Sequence, residues 1–317
     1  DFVNKRNLFP DVALRERFCL LTITGSSNTV DGFEFSFFNW TLEELNEEGS
    51  KYSLKREDIQ RINPNTNNCP IFKSASDRDV TLKLYSNVPI LVDESSETNP
   101  WGISYKQGFY NMSTDSSKFS ENTLENLKQD GFELGTDSIF RGNDQQYLPL
   151  WEGKLFQQFD HRFGTFEGVS KNKRFGRRAG TKRVESSEKQ NTNYEIIPRY
   201  WVNKTEFENE KKNLEWNEDW LFAFRETGGS ASNSRTAIGT IIPMHPCSHK
   251  APIFTFQTSD PKEHGIIFTT IFTSFAFDFA LQQSLGGASV SYYILKQLPM
   301  PTPEQINCLS VDIDGNT

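Results

Sequence analysis

The chain has 317 residues, with 34 basic against 42 acidic side chains, a net charge of -8, and 27 phenylalanines among its 35% hydrophobic residues. That balance excludes an intrinsically disordered chain and fits a globular protein whose core is built largely from aromatic rings. No run of about 18 apolar residues free of charge occurs, so no membrane-spanning helix is expected.

In chain order, Phe18 to Ile23 is a β-prone run ended by the turn residues Thr24 to Asn28. Phe33, Phe35 and Phe37 alternate with polar or small residues, the period of a half-buried strand. Together the two runs predict a hairpin. A short acidic helix is expected over 41–49, a helix near Ile59 that stops before Pro64, and another over 76–85. Glu94 to Pro100 is polar and turn-rich, which predicts a first domain over 1–95 and a second over 96–317. A helix follows over 120–130, capped by Ser120, and then a β meander over 131–141. Residues 170–190 read as an exposed loop. A charged helix is expected over 204–214, and strands over 220–224 and 235–242. His264 to Leu285 reads as one long helix, buried on most sides through Ile267, Ile271, Phe275 and Phe279, and ended by Gly286-Gly287. Antiparallel-looking strands with scattered helices give an α+β fold class. The chain starts at Asp1, without Met, and is expected to be a piece of a longer protein. Four cysteines (Cys19, Cys69, Cys247 and Cys308) with no C-x-x-C pair read as reduced thiols of a cytoplasmic protein.

The net charge hides an asymmetry. Residues 151–205 hold 12 basic and 6 acidic side chains, a local excess of +6 in an acidic chain. A positive patch is the footprint a polyanion needs, whatever the total charge. Lys171, Lys173, Arg174, Arg177, Arg178, Lys182 and Arg183 follow one another with no acidic residue between Ser170 and Val184. Side chains of this kind neutralise phosphates or enter a groove, although charge runs are often no more than solvated surface. Flanking aromatic segments add Lys154, His161, Arg162 and Arg199, and Gly/Ser-rich turns near 228–232 adjoin Arg225, Asn233 and Arg235. Arginine and asparagine are the side chains that read guanine and adenine edges. Arg225 and Arg235 are therefore the expected base readers, and the loop cations the expected phosphate contacts.

Catalytic motifs are missing. Asn63-Pro64-Asn65 and Asn99-Pro100-Trp101 each have one proline where an Asn/Asp-Pro-Pro-aromatic motif needs two, and no glycine-rich turn follows a strand and opens a helix. Asp137 with Glu152-Gly153-Lys154 has tolerable spacing for a metal-dependent nuclease, but three common residues are weak evidence. His245, Cys247, His249 and His264 are zinc-ligand types, yet alternation along one strand does not close a tetrahedral site. A further alternative is a subunit-docking module using residues 264–285 and the proline-rich end.

An ordered series of short matches runs along nearly the whole chain. It begins with Asn7-Leu8-Phe9-Pro10-Asp11-Val12 and Arg17-Phe18-Cys19-Leu20-Leu21-Thr22. Ile62-Asn63-Pro64-Asn65-Thr66, Cys69-Pro70-Ile71-Phe72 and Asn99-Pro100-Trp101-Gly102 come next. Tyr147 to Lys154, Gln158 to Arg162, Pro198 to Val202 and Tyr293 to Pro299 complete it. This series resembles the C-terminal target-recognition region of large adenine-N6-specific DNA methyltransferases of bacterial restriction-modification and phage-defence systems. Arg225-Glu226 and Asn233-Ser234-Arg235-Thr236 stand where such proteins often carry Arg-Asp and Asn-Glu-Arg-Thr, and the basic loop looks like an insertion. The resemblance implies a target-recognition fold that binds double-stranded DNA and works with the catalytic domain of the same parent chain. It implies S-adenosylmethionine as the parent's cofactor, with no cofactor held by this chain.

Overall fold

The structure is a computed structural model that describes residues 1–25, 27–28, 30–176, 179–228 and 233–307. The fold is α+β, built from small antiparallel sheets and several helices. No single helix among the described residues is long and apolar enough to cross a membrane. The chain divides into two compact units.

The first unit comprises Asp1–Pro100, Phe279–Gly286 and Tyr293–Thr317. Its core gathers Tyr52, Leu54, Ile62, Phe72, Tyr85 and Ile90, with Phe35 and Phe37 packed against them. The helix Arg56–Ile62 ends ahead of Pro64, as the missing amide donor requires. The helix Ala75–Asn87 starts where the Ser74 side chain accepts the Asp77 amide. The hairpin expected between residues 18–23 and 33–37 does not form. Phe33–Phe35 pairs instead with Tyr52–Leu54, and Arg17–Phe18 pairs with Phe2–Val3. Leu20, Leu21 and Ile23 lie exposed. The chain returns to this unit near its end. Leu91 and Val92 donate to the carbonyls of Leu298 and Lys296 (both 2.9 Å), and the Tyr85 hydroxyl donates to Gln297 O at 2.9 Å. Those bonds tie residues near the end of the chain to this unit, so the second unit does not run from 96 to 317 as expected.

The second unit comprises Trp101–Asp278 and Gly287–Tyr292. One four-stranded antiparallel sheet has the order Gly239–Pro243, Trp220–Phe224, Ile253–Phe256, Ile103–Lys106. Every residue of Ile253–Phe256 is buried, Thr255 included, as is each of Leu221 to Phe224. The helix Pro261–Phe272 packs on this sheet through Phe268 and Phe272, whose rings meet Phe222 edge-on at 5.1 Å. Gly265 lies against the Trp220 ring, where a Cβ would collide with the indole. The second sheet has the order Trp201–Asn203, Gln145–Pro149, Phe140–Gly142, Glu133–Leu134, and buries Phe140 and Trp201 with Leu127 and Phe132.

Three other local expectations change. The exposed loop expected over 170–190 contains two short helices, Lys171–Phe175 and Ser186–Gln190, and a strand Lys182–Arg183 paired with Gly164–Thr165. The helix expected over 120–130 runs Leu124–Gln129 and is capped by Thr123 rather than Ser120. The single helix expected over 264–285 is two, Pro261–Phe272 and Phe275–Ser284. The Ser274 hydroxyl accepts from the Phe277 amide and so caps the start of the second helix, beside the Thr273 hydroxyl, which bonds back to Thr269 O at 2.7 Å. The buried stripe of the first helix is Gly265, Phe268, Thr269 and Phe272, offset from the expected Ile267, Ile271 and Phe275.

Candidate nucleic-acid interface

Antiparallel pairing builds the centre of the region. Trp201 lies opposite Pro149 and the Leu150 amide donates to Tyr200 O, so the residues just outside the strands, Arg199 and Glu152, come face to face. Arg199 Nε and Nη2 grip the Glu152 carboxylate at 2.7 and 2.6 Å, and both side chains are largely buried. Burial opposes the charge on Arg199, but the hydrogen bonds and charge of Glu152 outweigh it and hold the guanidinium above its ordinary range. The Arg199 guanidinium also sits between the Phe166 and Tyr200 rings, 5.5 and 5.4 Å from their centroids. Lys154 lies 3.7 Å from Glu152 and donates to Ala179 O at 3.1 Å; burial pulls its ammonium below the usual lysine range.

Several other expected DNA contacts serve the fold. Arg174 is buried and pairs with Glu125 at 2.8 and 3.1 Å. Arg162 donates to the carbonyls of Asn191, Tyr194 and Lys189 at 3.0, 3.1 and 3.2 Å, stapling that segment. His161 is half-buried, and burial keeps its ring below the ordinary histidine range. Arg235 donates to the carbonyls of Thr273 and Ser274 at 2.6 and 2.9 Å, and its Nε lies 3.1 Å from the Asp278 carboxylate. Asn233 donates to Gly228 O at 3.3 Å.

Among the described residues, four of the expected cations lie exposed: Lys171 and Lys173 on one short helix, and Lys182 and Arg183 on the strand beside Gly164–Thr165. Lys182 is 3.3 Å from Glu188 but stays exposed. Arg183 and Arg225 share the Phe163 ring, with their guanidinium carbons 5.5 and 5.6 Å from its centroid. Arg225 donates to Phe156 O, at 3.0 Å from Nε, and touches Asn233 Oδ1 at 3.5 Å. Burial pushes its guanidinium down to about 10. Among the described residues, neither Arg183 nor Arg225 has a carboxylate within 4.0 Å. The desolvated charge of Arg225, without a counter-ion, favours an anionic ligand such as a phosphate, and Arg183 beside it is exposed. Arg177 and Arg178 lie outside the described residues.

The residues weighed for metal chemistry have other partners. Asp137 is held bidentately by Arg141 at 2.9 and 2.6 Å, and Glu152 by Arg199, so each carboxylate is neutralised by a different arginine. Cys247 is buried, His245 is half-buried, His249 accepts the Met112 amide, and His264 bonds Thr258 and Asp260. Among the described residues, no group of three or more His, Cys, Asp or Glu is placed to hold a metal ion.

Sequence reasoning missed two residues. Phe159 is 65% exposed and Phe275 is 80% exposed, although aromatic residues usually go to the core. Polar neighbours on both sides, Gln157-Gln158 and Asp160-His161, were the available signal for Phe159. Phe275 carried no such signal, because its apolar neighbours suit a buried helix.

Models of protein families, curated proteins and solved structures were compared with this chain, and none matches it.

Proposed function

We propose that this chain is the sequence-specific double-stranded DNA reader of an adenine-N6 DNA methyltransferase or single-chain restriction-modification enzyme working in the bacterial cytoplasm. In this reading it grips the duplex so that the catalytic domain of the same parent chain, which binds S-adenosylmethionine, can extract an adenine from the stack. The ordered sequence resemblance gives the reading its identity. One observation carries its physics: Arg183 and Arg225 both lie at the Phe163 ring with no carboxylate among the described residues to neutralise either, in the same unit as exposed Lys171, Lys173 and Lys182. The acidic total does not oppose it. The second unit has 22 basic and 23 acidic residues, and the first has 12 and 19, so the excess negative charge belongs to the first unit.

Contacts divide by role. Lys171, Lys173, Lys182 and Arg183 neutralise phosphates, Arg225 supplies a fixed, partly desolvated positive charge, and Arg199, Arg174 and Arg162 hold the surface in shape. The test is selection of duplexes from a random library by the purified chain. Enrichment of a common sequence motif is the expected result. Binding without enrichment would make the chain a non-specific polyanion binder, and absence of binding would remove the DNA reading.

A further inference from the structure

We infer that Phe159 and Phe275 stack on nucleobases of the bound DNA, entering a base step that opens on binding. The inference rests on the DNA reading above and deepens it. It starts from two rings that the fold holds in solvent by fixed means.

Phe159 sits at the tip of a tight turn in which Gln157 and Asp160 exchange both backbone hydrogen bonds, at 2.8 and 3.0 Å. Its φ is +56°, a left-handed conformation that a bulky side chain adopts at a cost in free energy. Two side chains keep the turn in place: Gln158 Nε2 donates to Ala237 O at 2.9 Å, and Lys189 meets the Asp160 carboxylate at 2.5 Å. A glycine or asparagine would suit this backbone better, so the ring is present despite the conformation and is not its cause.

Phe275 opens its helix beside the Thr273-Ser274 break. The Arg235 guanidinium lies over its ring at 4.3 Å and is itself held by the Thr273 and Ser274 carbonyls and by Asp278. Asp278 Oδ1 in turn accepts the amides of Thr236 and Ala237 at 2.7 and 2.6 Å. Both exposed rings are therefore anchored to one stretch of chain around Ala237, one through Gln158 and the other through Asp278. A cation fixed behind an aromatic ring offsets the negative potential of its face and suits it to stack on an electron-rich base. Aromatic side chains that unstack duplex steps and platforms that hold unpaired bases use the same contact, and every base offers a face for it.

The experiment uses the full chain and the duplex best enriched in the selection, with 2-aminopurine or pyrrolocytosine replacing one base at a time across the site. The wild-type chain is expected to raise probe fluorescence at one or more positions, reporting lost stacking. Phe159→Ala and Phe275→Ala should each suppress part of that rise and weaken binding about tenfold to a hundredfold, the usual effect of removing one base-stacking ring. Tyr or Trp at either position should restore both signals. Phe159→Gly controls for folding: its thermal midpoint should equal or exceed that of the wild type, because the backbone strain is relieved, while the fluorescence rise is lost. Tight binding with no fluorescence change at any position, or a change that survives both alanine substitutions, would overturn the inference and leave the DNA reading intact. Failure of the chain to bind any duplex would overturn both.

Discussion

Arg199 and Glu152 meet through two hydrogen bonds of 2.7 and 2.6 Å at the point where two strands of one sheet run out. The pair explains why the most aromatic and basic part of the sequence is not simply a set of DNA contacts: a largely buried arginine that saturates a buried carboxylate has no second fork to offer a phosphate. Glu152→Ala is expected to destabilise the protein by about 3–5 kcal/mol, because it strands a buried guanidinium. The double variant Glu152→Leu/Arg199→Met is expected to recover most of that loss. Urea unfolding of Glu152→Leu, Arg199→Met and the double variant measures the coupling. Additive losses would place the two side chains in independent roles.

His245 gives the protein a dependence on pH. The residue is half-buried, its Nδ1 is shut off from solvent with no hydrogen-bond partner among the described residues, and desolvation lowers its pKa from 6.5 to about 4, with Asp137 pulling the other way. A depressed histidine binds its proton more readily in the unfolded chain, so unfolding takes up a proton between about pH 4 and 6.5. Stability should therefore be complete above pH 6.5 and fall as the pH drops through that window, by on the order of 3 kcal/mol. Unfolding free energies at pH 7.5 and 4.5 measure the loss. His245→Phe should flatten this part of the profile, and an unchanged profile would assign the dependence to other groups.

Gly153 lies between the buried Glu152 and Lys154, where an added Cβ would come 2.5 Å from the Lys250 carbonyl oxygen and 3.4 Å from the Arg225 side chain. The backbone oxygen has little room to yield. Gly153→Ala is expected to lower stability by about 1–3 kcal/mol, as overpacking does, and to displace Arg225 with it. Comparison of urea midpoints with the wild type tests this; equal midpoints would show that the Lys250 segment yields.

Much of the fold was legible in the residues. The strand Trp220–Phe224 was readable because a β-prone aromatic run leaves little choice, and the helix Arg56–Ile62 because Pro64 bars its extension. The α+β class followed from such pieces. What was not legible depended on partners distant in sequence. Phe33–Phe35 pairs with Tyr52–Leu54, a strand that local pattern alone did not reveal. At the break, Ser274 caps the second helix and Arg235, nearly 40 residues away, takes the Thr273 and Ser274 carbonyls, so an unbroken apolar pattern concealed it. The same limit applied to the candidate interface. Composition located the basic stretch, but Glu125, Glu152 and Asp278, each supplied by another segment, determine which arginines are already neutralised.

The central claim is that the cations left at the surface grip a duplex. Its most direct test is the salt dependence of DNA affinity for the wild-type chain and for the variant Lys171→Ser/Lys173→Ser/Lys182→Ser/Arg183→Ser. The logarithm of affinity should fall linearly with the logarithm of KCl concentration. The variant should bind every duplex more weakly, with a slope shallower by about 3–4, close to one counter-ion for each removed charge. Identical slopes for the two proteins, or no binding by the wild type even at low salt, would contradict the claim.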